Sequence, residues 1–345
     1  MTRPAPSFFS PYAHDFLRVA VCVPRIEPAS PRFNADRTLE LLREADAQRV
    51  GLMAFPELGI SAYAIDDLLF QDALLDAVEA EIARLVEASR DLYPVFAVGA
   101  PLRIDGRLYN TAVVIGGGRI LGVTPKIYLP NYREFYEKRW FTSGQGVVGR
   151  TLRLAGQDVP FGTDLIYRGG GSAPVSFHVE ICEDVWVAEP PSGRAALAGA
   201  EVLLNLSASN ITIGKAEARR LLCASQSARC AAVYAYSAAG PGESTTDLAW
   251  DGHASIFELG ELLAETERFA LDSTLAVADV DLGRLRQERM RTNSLGDNAA
   301  AALAHGAPFR QIDFTLDAPA EPLDLIREVE RFPYVPADPA RLADD

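Results

Sequence analysis

Short apolar segments alternate with amphipathic helical segments along most of this chain, up to about residue 281. The segment VGLMAFPE at residues 50–57 is almost wholly apolar, as a strand covered on both faces is. Alternation of this kind, with hairpins inserted, is typical of domains that layer helices on mixed sheets. The sequence therefore predicts a layered α/β or α+β fold, and 345 residues with 48% hydrophobic content are enough to bury a full core.

The individual elements are predicted from the spacing of apolar residues, which differs between strands and helices. Strands are predicted at residues 16–24, 50–57, 93–101, 175–182, 201–209, 231–240, 254–258, 261–266 and 275–282, with a hairpin at 108–126. Helices are predicted at residues 35–49, 66–92, 191–200, 214–230 and 281–291. Residues 125–144 have no clean period and are rich in aromatic and charged side chains, so we expect a binding loop there.

The segment VSFHVEICEDVW, residues 175–186, contains the most informative of these strands. Apolar and more polar residues alternate up to Cys182, and the chain then turns through Glu183 and Asp184 toward two prolines. A residue at a strand end beside a turn can be reached by substrate while its backbone stays rigid, as a nucleophile requires. Cys182 is therefore a candidate nucleophile, although a buried structural cysteine would show the same local pattern.

The overall charge and the cysteine content restrict the classes of function. A net charge of −14 and a pI near 4.8 argue against binding to nucleic acid or to anionic membranes, because both need a basic surface. Four cysteines without a CxxC pair fit a reducing compartment and predict no disulfides. With no signal-peptide pattern and no long apolar run, we expect a cytoplasmic protein. No His/Cys cluster has metal-ligand spacing, so no metal is expected.

Two further residues could complete a thiol-based site for cleaving an amide. Such chemistry needs a nucleophile, a group that takes and returns a proton, and a donor for the tetrahedral oxyanion. Glu57 and Lys126 each end or follow an apolar strand beside a proline, as Cys182 ends a strand beside a turn. Each of the two is also compatible with an ordinary surface or helix-terminal charge.

The rival thiol chemistry pairs a cysteine with a histidine. His178 lies four strand residues before Cys182, about 13 Å away along the strand, which is too far for a hydrogen bond. His253 stays open as a partner, but no local cysteine-protease signature supports it.

Four motifs together resemble a known family. FPELGISAY (55–63), PKIYLPNYREFYE (125–137) and VEICEDVW (179–186) occur in the order of the Glu, Lys, Cys signature of the nitrilase or carbon–nitrogen hydrolase superfamily. With ESTTDLAWDGH (243–253), they are most similar to the glutaminase domain of bacterial glutamine-dependent NAD synthetases. The resemblance implies a four-layer αββα sandwich and the hydrolysis of glutamine to release ammonia for NAD synthesis.

The resemblance also implies a role for each matching residue. Glu57 would be the general base and acid, Lys126 the stabiliser of the oxyanion, and Cys182 the nucleophile that forms a γ-glutamyl thioester. The residues that would bind substrate are Tyr132, Glu134, Ser209 and Lys215. Lys215 stands where close relatives can carry arginine, so it would bind the substrate carboxylate without the bidentate hydrogen bonds that arginine can make.

The resemblance further implies a division of the chain and a set of partners. Residues 1–11 would be a lead, 12–290 the carbon–nitrogen hydrolase domain, and 291–345 an extension toward a synthetase domain in cis or trans. The phosphate loop SGGxDS of that domain does not occur here, and the glycines of RGGGS (168–172) and GPGES (240–244) are read as turn residues. We therefore expect no cofactor in this chain, with ATP and deamido-NAD confined to the synthetase domain, and self-association into at least a dimer.

Three functions remain open at this point. The first is the glutaminase half of NAD synthesis, and the second is a free-standing amidase acting on another small amide or carbamoyl substrate. The third is a catalytically idle partner protein, which the presence of Glu57, Lys126 and Cys182 disfavours. The PNYREFYE and LSAS stretches favour the first over the second.

Overall fold

The computed structural model describes residues 6–305, 308–327 and 329, which form two sheets with helices outside them. The helices are α1 Pro31–Ala47, α2 Asp72–Ala88, α3 Pro191–Leu197, α4 Lys215–Cys230, α5 Leu282–Arg291 and α6 Asn293–His305. The strands are β1 Phe16–Val23, β2 Leu52–Ala54, β3 Val95–Ile104, β4 Arg107–Gly116, β5 Arg119–Pro125, β6 Arg150–Leu154, β7 Gln157–Phe161, β8 Leu165–Gly170, β9 Val175–Ile181, β10 Val202–Ser207, β11 Val233–Ala238, β12 Ala254–Glu258, β13 Glu261–Glu265, β14 Thr274–Asp281 and β15 Arg310–Thr315. No helix in this described part is long and apolar enough to cross a membrane.

Each sheet contains three neighbouring parallel strands inside its edges. The first sheet runs β14-β1-β2-β3-β4-β5-β7-β6 and the second β13-β12-β11-β10-β9-β8-β15. Strands β1, β2 and β3 are parallel to one another, as are β9, β10 and β11. Parallel neighbours need crossover connections, which α1, α2, α3 and α4 provide. The carboxyl ends of β2 and β9 thus become positions for functional side chains.

Alternation of side chains along the buried strands separates three apolar layers. In β1, Val19 and Val21 face the second sheet, whereas Ala20 and Cys22 face the α1 and α2 side. Leu204 of β10 likewise contributes to the layer between the sheets, and further apolar residues of the second sheet pack against α3 and α4. This arrangement of helix, sheet, sheet and helix is the predicted four-layer αββα sandwich.

Two predicted helices begin at different residues in the structure. The helix predicted at 66–92 is interrupted, because residues Asp66–Phe70 form a 3₁₀ turn and Gln71 is extended before α2 starts. Asp66 has a φ of 47°, a left-handed conformation that an α-helix cannot include. The first helix starts at Pro31, whose fixed φ and missing N–H suit the first helical position.

The fold continues past residue 290, where the sequence predicted the domain to end. Helix α6 follows α5 directly, and β15 pairs in parallel with β8 at the edge of the second sheet. The Arg310 side chain pairs with Asp164, and the backbone N–H of Ile326 donates to Asp279 at 2.7 Å. Of the described residues, 293–305 and 308–327 therefore include elements that pack against the sheets, and the division of the chain at residue 290 stays a prediction. The Pro-rich end, residues 331–345, lies outside the described residues, as do residues 1–5 of the predicted lead.

Candidate active site

Glu57, Lys126 and Cys182 each follow the carboxyl end of a buried strand, namely β2, β5 and β9. The Lys126 ammonium lies 2.6 Å from Oε1 of Glu57, and both side chains are fully buried. The charges of both groups act on the Cys182 thiol, so the three side chains converge at one place. The structure thus brings together the three residues that the sequence selected separately.

A second carboxylate, from Glu137, completes the surroundings of Lys126. Its Oε1 accepts a hydrogen bond from Lys126 at 2.6 Å and another from the Tyr63 hydroxyl at 2.7 Å. Burial raises the pKa of Glu137 above its ordinary value, and the Lys126 charge offsets part of that effect. Burial alone would lower the pKa of Lys126, but Glu137 and Glu57 together raise it. Lys126 therefore stays charged between two carboxylates.

Cys182 occupies a sharp turn between β9 and a short 3₁₀ turn. Its φ of 46° lies in the left-handed region, which non-glycine residues seldom adopt outside sites that hold them there. Burial raises the pKa of the thiol, with a contribution from Glu57, whereas Lys126 and the backbone N–H of Ala208 act in the opposite direction. The resting group is consequently a thiol that needs a base, and Glu57 is a buried carboxylate whose charge acts on it.

Asp184 connects the turn at Cys182 to the chain that follows Lys126. Its Oδ1 accepts from the backbone N–H groups of Ile127 and Tyr128, at 3.2 and 2.9 Å, and its Oδ2 accepts from Ile181 at 3.0 Å. Burial raises the pKa of this carboxyl to about 8. One side chain thus fixes the relative positions of the nucleophile and the ammonium.

Tyr132 and Ser209 are two of the predicted substrate-binding residues. The Tyr132 hydroxyl donates to Glu183 at 2.8 Å, next to Cys182 in the chain. Ser209 is buried, and its hydroxyl has no protein partner among the described residues. Tyr132 is half exposed, so these polar groups extend from the buried site to the protein surface.

Lys215 stands at the start of α4 among aromatic rings. Its ammonium lies 5.6 Å from the ring centre of Phe135 and 5.8 Å from that of Trp186, and it bonds to the Asn210 amide. Asn210 also donates to Glu134 at 2.5 Å. Burial lowers the pKa of Lys215, and an ionised Cys182 would act against that effect, which associates this cation with the nucleophile.

Two glutamates of the loop after β5 have different partners. Glu134, which the resemblance implies as a substrate-binding residue, accepts a hydrogen bond from Asn210. The glutamate that bonds to Lys126 is Glu137, three residues later. Both glutamates lie in the aperiodic loop, and the sequence signal that could have found Glu137 is its place in the motif itself, YREFYE. Asn110, which donates to Glu57, was also missed.

Comparisons with known proteins identify the family of this chain. A carbon–nitrogen hydrolase family model matches residues 18–290, and the chain belongs to that family. Two curated relatives are glutamine-dependent NAD(+) synthetases, from Mycobacterium tuberculosis at 54% identity and Mycobacterium leprae at 51%. Each alignment covers 98% of this chain and 50% of the relative, so the chain spans about half the length of these relatives.

Solved structures support the same assignment. The crystal structure of a glutamine-dependent NAD(+) synthetase from Cytophaga hutchinsonii matches 77% of this chain and 43% of its own, at 26% identity and a TM-score of 0.68. A Nesterenkonia amidase of the nitrilase superfamily matches 82% of this chain and 96% of its own at 21% identity and a TM-score of 0.61, which bears on the fold alone. The resemblance drawn from the motifs, and the nitrilase-type fold it implied, are both confirmed.

Proposed function

We propose that this chain is a glutaminase that hydrolyses the side-chain amide of L-glutamine and releases ammonia for NAD synthesis. The observation that carries the proposal is the set of groups beside Cys182, in which the Lys215 cation and the Glu183 carboxylate lie near one nucleophile. A free amino acid presents an α-carboxylate and an α-ammonium, so it needs one partner of each charge. The names of the curated relatives support the same substrate.

The buried groups account for each step of a thioester mechanism. Glu57 accepts the proton of the Cys182 thiol as sulfur attacks the amide carbon, and the Lys126 ammonium stabilises the oxyanion that forms. Glu57 then returns the proton to the departing nitrogen, so ammonia leaves and a γ-glutamyl thioester remains. Water, deprotonated by Glu57, attacks the thioester and releases glutamate with the regenerated thiol. Glu137 keeps Lys126 in place throughout.

Parallel assays of glutamine, asparagine and simple aliphatic amides test the substrate. We expect glutamine to give the highest kcat/KM, because asparagine is one methylene shorter and cannot place its amide at Cys182 while its α-groups reach Lys215 and Glu183. Simple amides lack both charged groups. A simple amide turned over faster than glutamine would contradict the proposal and favour a free-standing amidase.

Removing the Lys215 charge should weaken the binding of glutamine far more than it slows the chemical step. In Lys215→Met, we expect KM for glutamine to rise roughly 10- to 100-fold while kcat changes little, because a charged hydrogen bond to the carboxylate is lost in ground and transition state alike. Lys138→Met, at an exposed lysine outside this cluster, is the control and should leave both constants unchanged. Equal losses in kcat and kcat/KM for Lys215→Met would show that the residue acts on the reaction itself.

The partners of the chain follow from the same proposal. Ammonia release has to be coupled to a domain that uses it, and we infer a synthetase domain, in cis or in trans, that binds ATP and deamido-NAD while this chain binds neither. We also infer self-association into at least a dimer and action in the cytoplasm, where the nucleophilic thiol stays reduced. Light scattering at micromolar concentration tests the association, and a monomer mass would contradict it. Ammonia release with and without an added synthetase domain tests the coupling.

A further inference from the structure

The two carboxylate oxygens of Glu57 have different surroundings. Oε1 accepts two hydrogen bonds, from Lys126 Nζ and from Asn110 Nδ2, each at 2.6 Å. Oε2 is equally buried but has no hydrogen-bond partner among the residues that the structure describes. A buried carboxylate oxygen without a donor is disfavoured unless its function needs it free. The asymmetry therefore indicates which oxygen is reserved for the reaction.

Asn110 contributes to this asymmetry together with Lys126, and it does so through two separate contacts. It lies in β4, where its side chain is buried and its amide nitrogen reaches Glu57. Its backbone carbonyl accepts from the backbone N–H of Lys126 at 2.8 Å. One residue thus fixes both the carboxylate and the chain segment that carries the ammonium. Because an ionised carboxylate only accepts hydrogen bonds, the amide nitrogen rather than the amide oxygen of Asn110 must face Glu57.

We propose that Asn110 is a positioning residue that holds Glu57 so that Oε2 takes the proton of the Cys182 thiol and returns it to the leaving nitrogen. The inference rests on the proposed amide hydrolysis and adds the identity of the reacting oxygen. In the first step the S–H bond breaks, the proton moves to Oε2 and sulfur bonds to the amide carbon. In the second the C–N bond breaks as Oε2 returns the proton to nitrogen.

Glu137 is the competing base, since it has a similar arrangement. Its Oε1 accepts from Lys126 and Tyr63, and its Oε2 also lacks a protein partner among the described residues. Asn110 has no hydrogen bond to Glu137 in the described structure. If Glu137 were the base, a change at Asn110 would reach it only through the charge of Glu57, and weakening that charge would lower the pKa of Glu137 and move the profile downward instead of upward. The two assignments are therefore separable by substitution at Asn110.

The test is the pH dependence of Cys182 alkylation by iodoacetamide, followed on the Cys182 peptide by mass spectrometry between about pH 5 and 9. Asn110→Leu keeps the side-chain volume and removes the donor. A hydrogen bond stabilises the ionised carboxylate, so its loss lets the base protonate at higher pH. We expect the acidic limb of the alkylation profile to move upward by on the order of one pH unit, and kcat/KM near pH 7 to fall roughly 10- to 100-fold.

Thr111→Val is the matched control, because Thr111 is the next residue of β4 and points to the opposite face. Its hydroxyl is equally buried and bonds to the Ala100 carbonyl at 2.7 Å, so the substitution also removes one buried hydrogen bond. We expect its alkylation profile to match that of the wild type. A limb that moves as far in Thr111→Val as in Asn110→Leu would reveal a general structural effect and overturn the inference.

Asn110→Asp provides a second variant if Asn110→Leu does not fold. It preserves shape but places a second carboxylate against Glu57, so the limb should move upward at least as far. If a folded variant, either Asn110→Leu or Asn110→Asp, shows no shift in the acidic limb of the alkylation profile, the inference is overturned. Iodoacetamide does not occupy the site as glutamine does, so the profile tests Asn110 even if the wild type fails to hydrolyse glutamine. That failure would contradict the proposed function alone.

Discussion

Cys182→Ala is expected to eliminate amide hydrolysis while the protein stays folded. The thioester route has no other nucleophile at the site, so turnover should fall by roughly 10⁴-fold or more. Cys182→Ser should be nearly as inactive, because Glu57 is matched to a thiol rather than to a much less acidic hydroxyl. Ammonia release, measured together with a thermal unfolding curve, checks both parts of the expectation.

Cys230 provides the control for this substitution. Both cysteines are 6% exposed, and burial raises the pKa of both thiols. Cys230 lies at the end of α4, next to Gln226, and not among the charged groups of the site. Cys230→Ala should therefore retain activity. Full turnover in folded Cys182→Ala, or loss of turnover in both variants, would contradict the assignment of the nucleophile.

Lys126→Met is expected to remove activity and to destabilise the protein more strongly as pH rises. The substitution leaves two buried carboxylates, Glu57 and Glu137, without the ammonium that lies 2.6 Å from each. Removing one partner of a buried ion pair costs about 3–5 kcal/mol of unfolding free energy. The oxyanion also loses its charged donor, so residual turnover should be very low.

The pH dependence of that stability loss follows from Glu137. Burial already raises its pKa in the folded wild type, and removal of Lys126 raises it further. A carboxyl whose pKa is higher in the folded than in the unfolded state stabilises the fold at low pH and loses that contribution as pH rises through the folded pKa. The loss of unfolding free energy in Lys126→Met, relative to the wild type, should therefore be larger at pH 8 than at pH 5. Urea unfolding at both pH values checks this, with Lys138→Met as the control; a deficit independent of pH would contradict it.

The parts of the fold that the sequence predicted are those encoded locally. Strand β9 and helix α4 show their periods in consecutive residues, and the structure has both within one residue of the predicted ends. The interruption before α2 was missed because Asp66 and Asp67 continue an amphipathic pattern. Tertiary contacts decide that segment instead, since the Asp67 carboxylate accepts hydrogen bonds from Arg139 and Trp140.

The residues of the candidate site also fall into two groups, those that the sequence predicted and those that it did not. Glu57, Lys126 and Cys182 were found because each ends or follows a strand within a recognisable motif. Glu137 lies in a loop without a period, and only its 3₁₀ turn brings its carboxylate to Lys126. Asn110 is a polar residue in a strand whose sequence shows no motif. Its contact with Glu57 depends on the pairing of β4 with its neighbouring strands. In the sequence, only the motif YREFYE marks Glu137, and Asn110 has no comparable signal.

Strand β15 has a consequence for how the domain can be built. It is the last strand among the described residues, yet it pairs along the whole of β8, and its Phe314 ring packs 5.7 Å from that of Phe177 in β9. During synthesis, the edge of β8 that does not pair with β9 therefore stays unpaired until residues 310–315 have left the ribosome. A fragment that ends at residue 290 would contain every residue of the site but would expose the unpaired edge of β8. We therefore expect this fragment to aggregate, whereas a fragment that ends after residue 327 should remain unaggregated in solution.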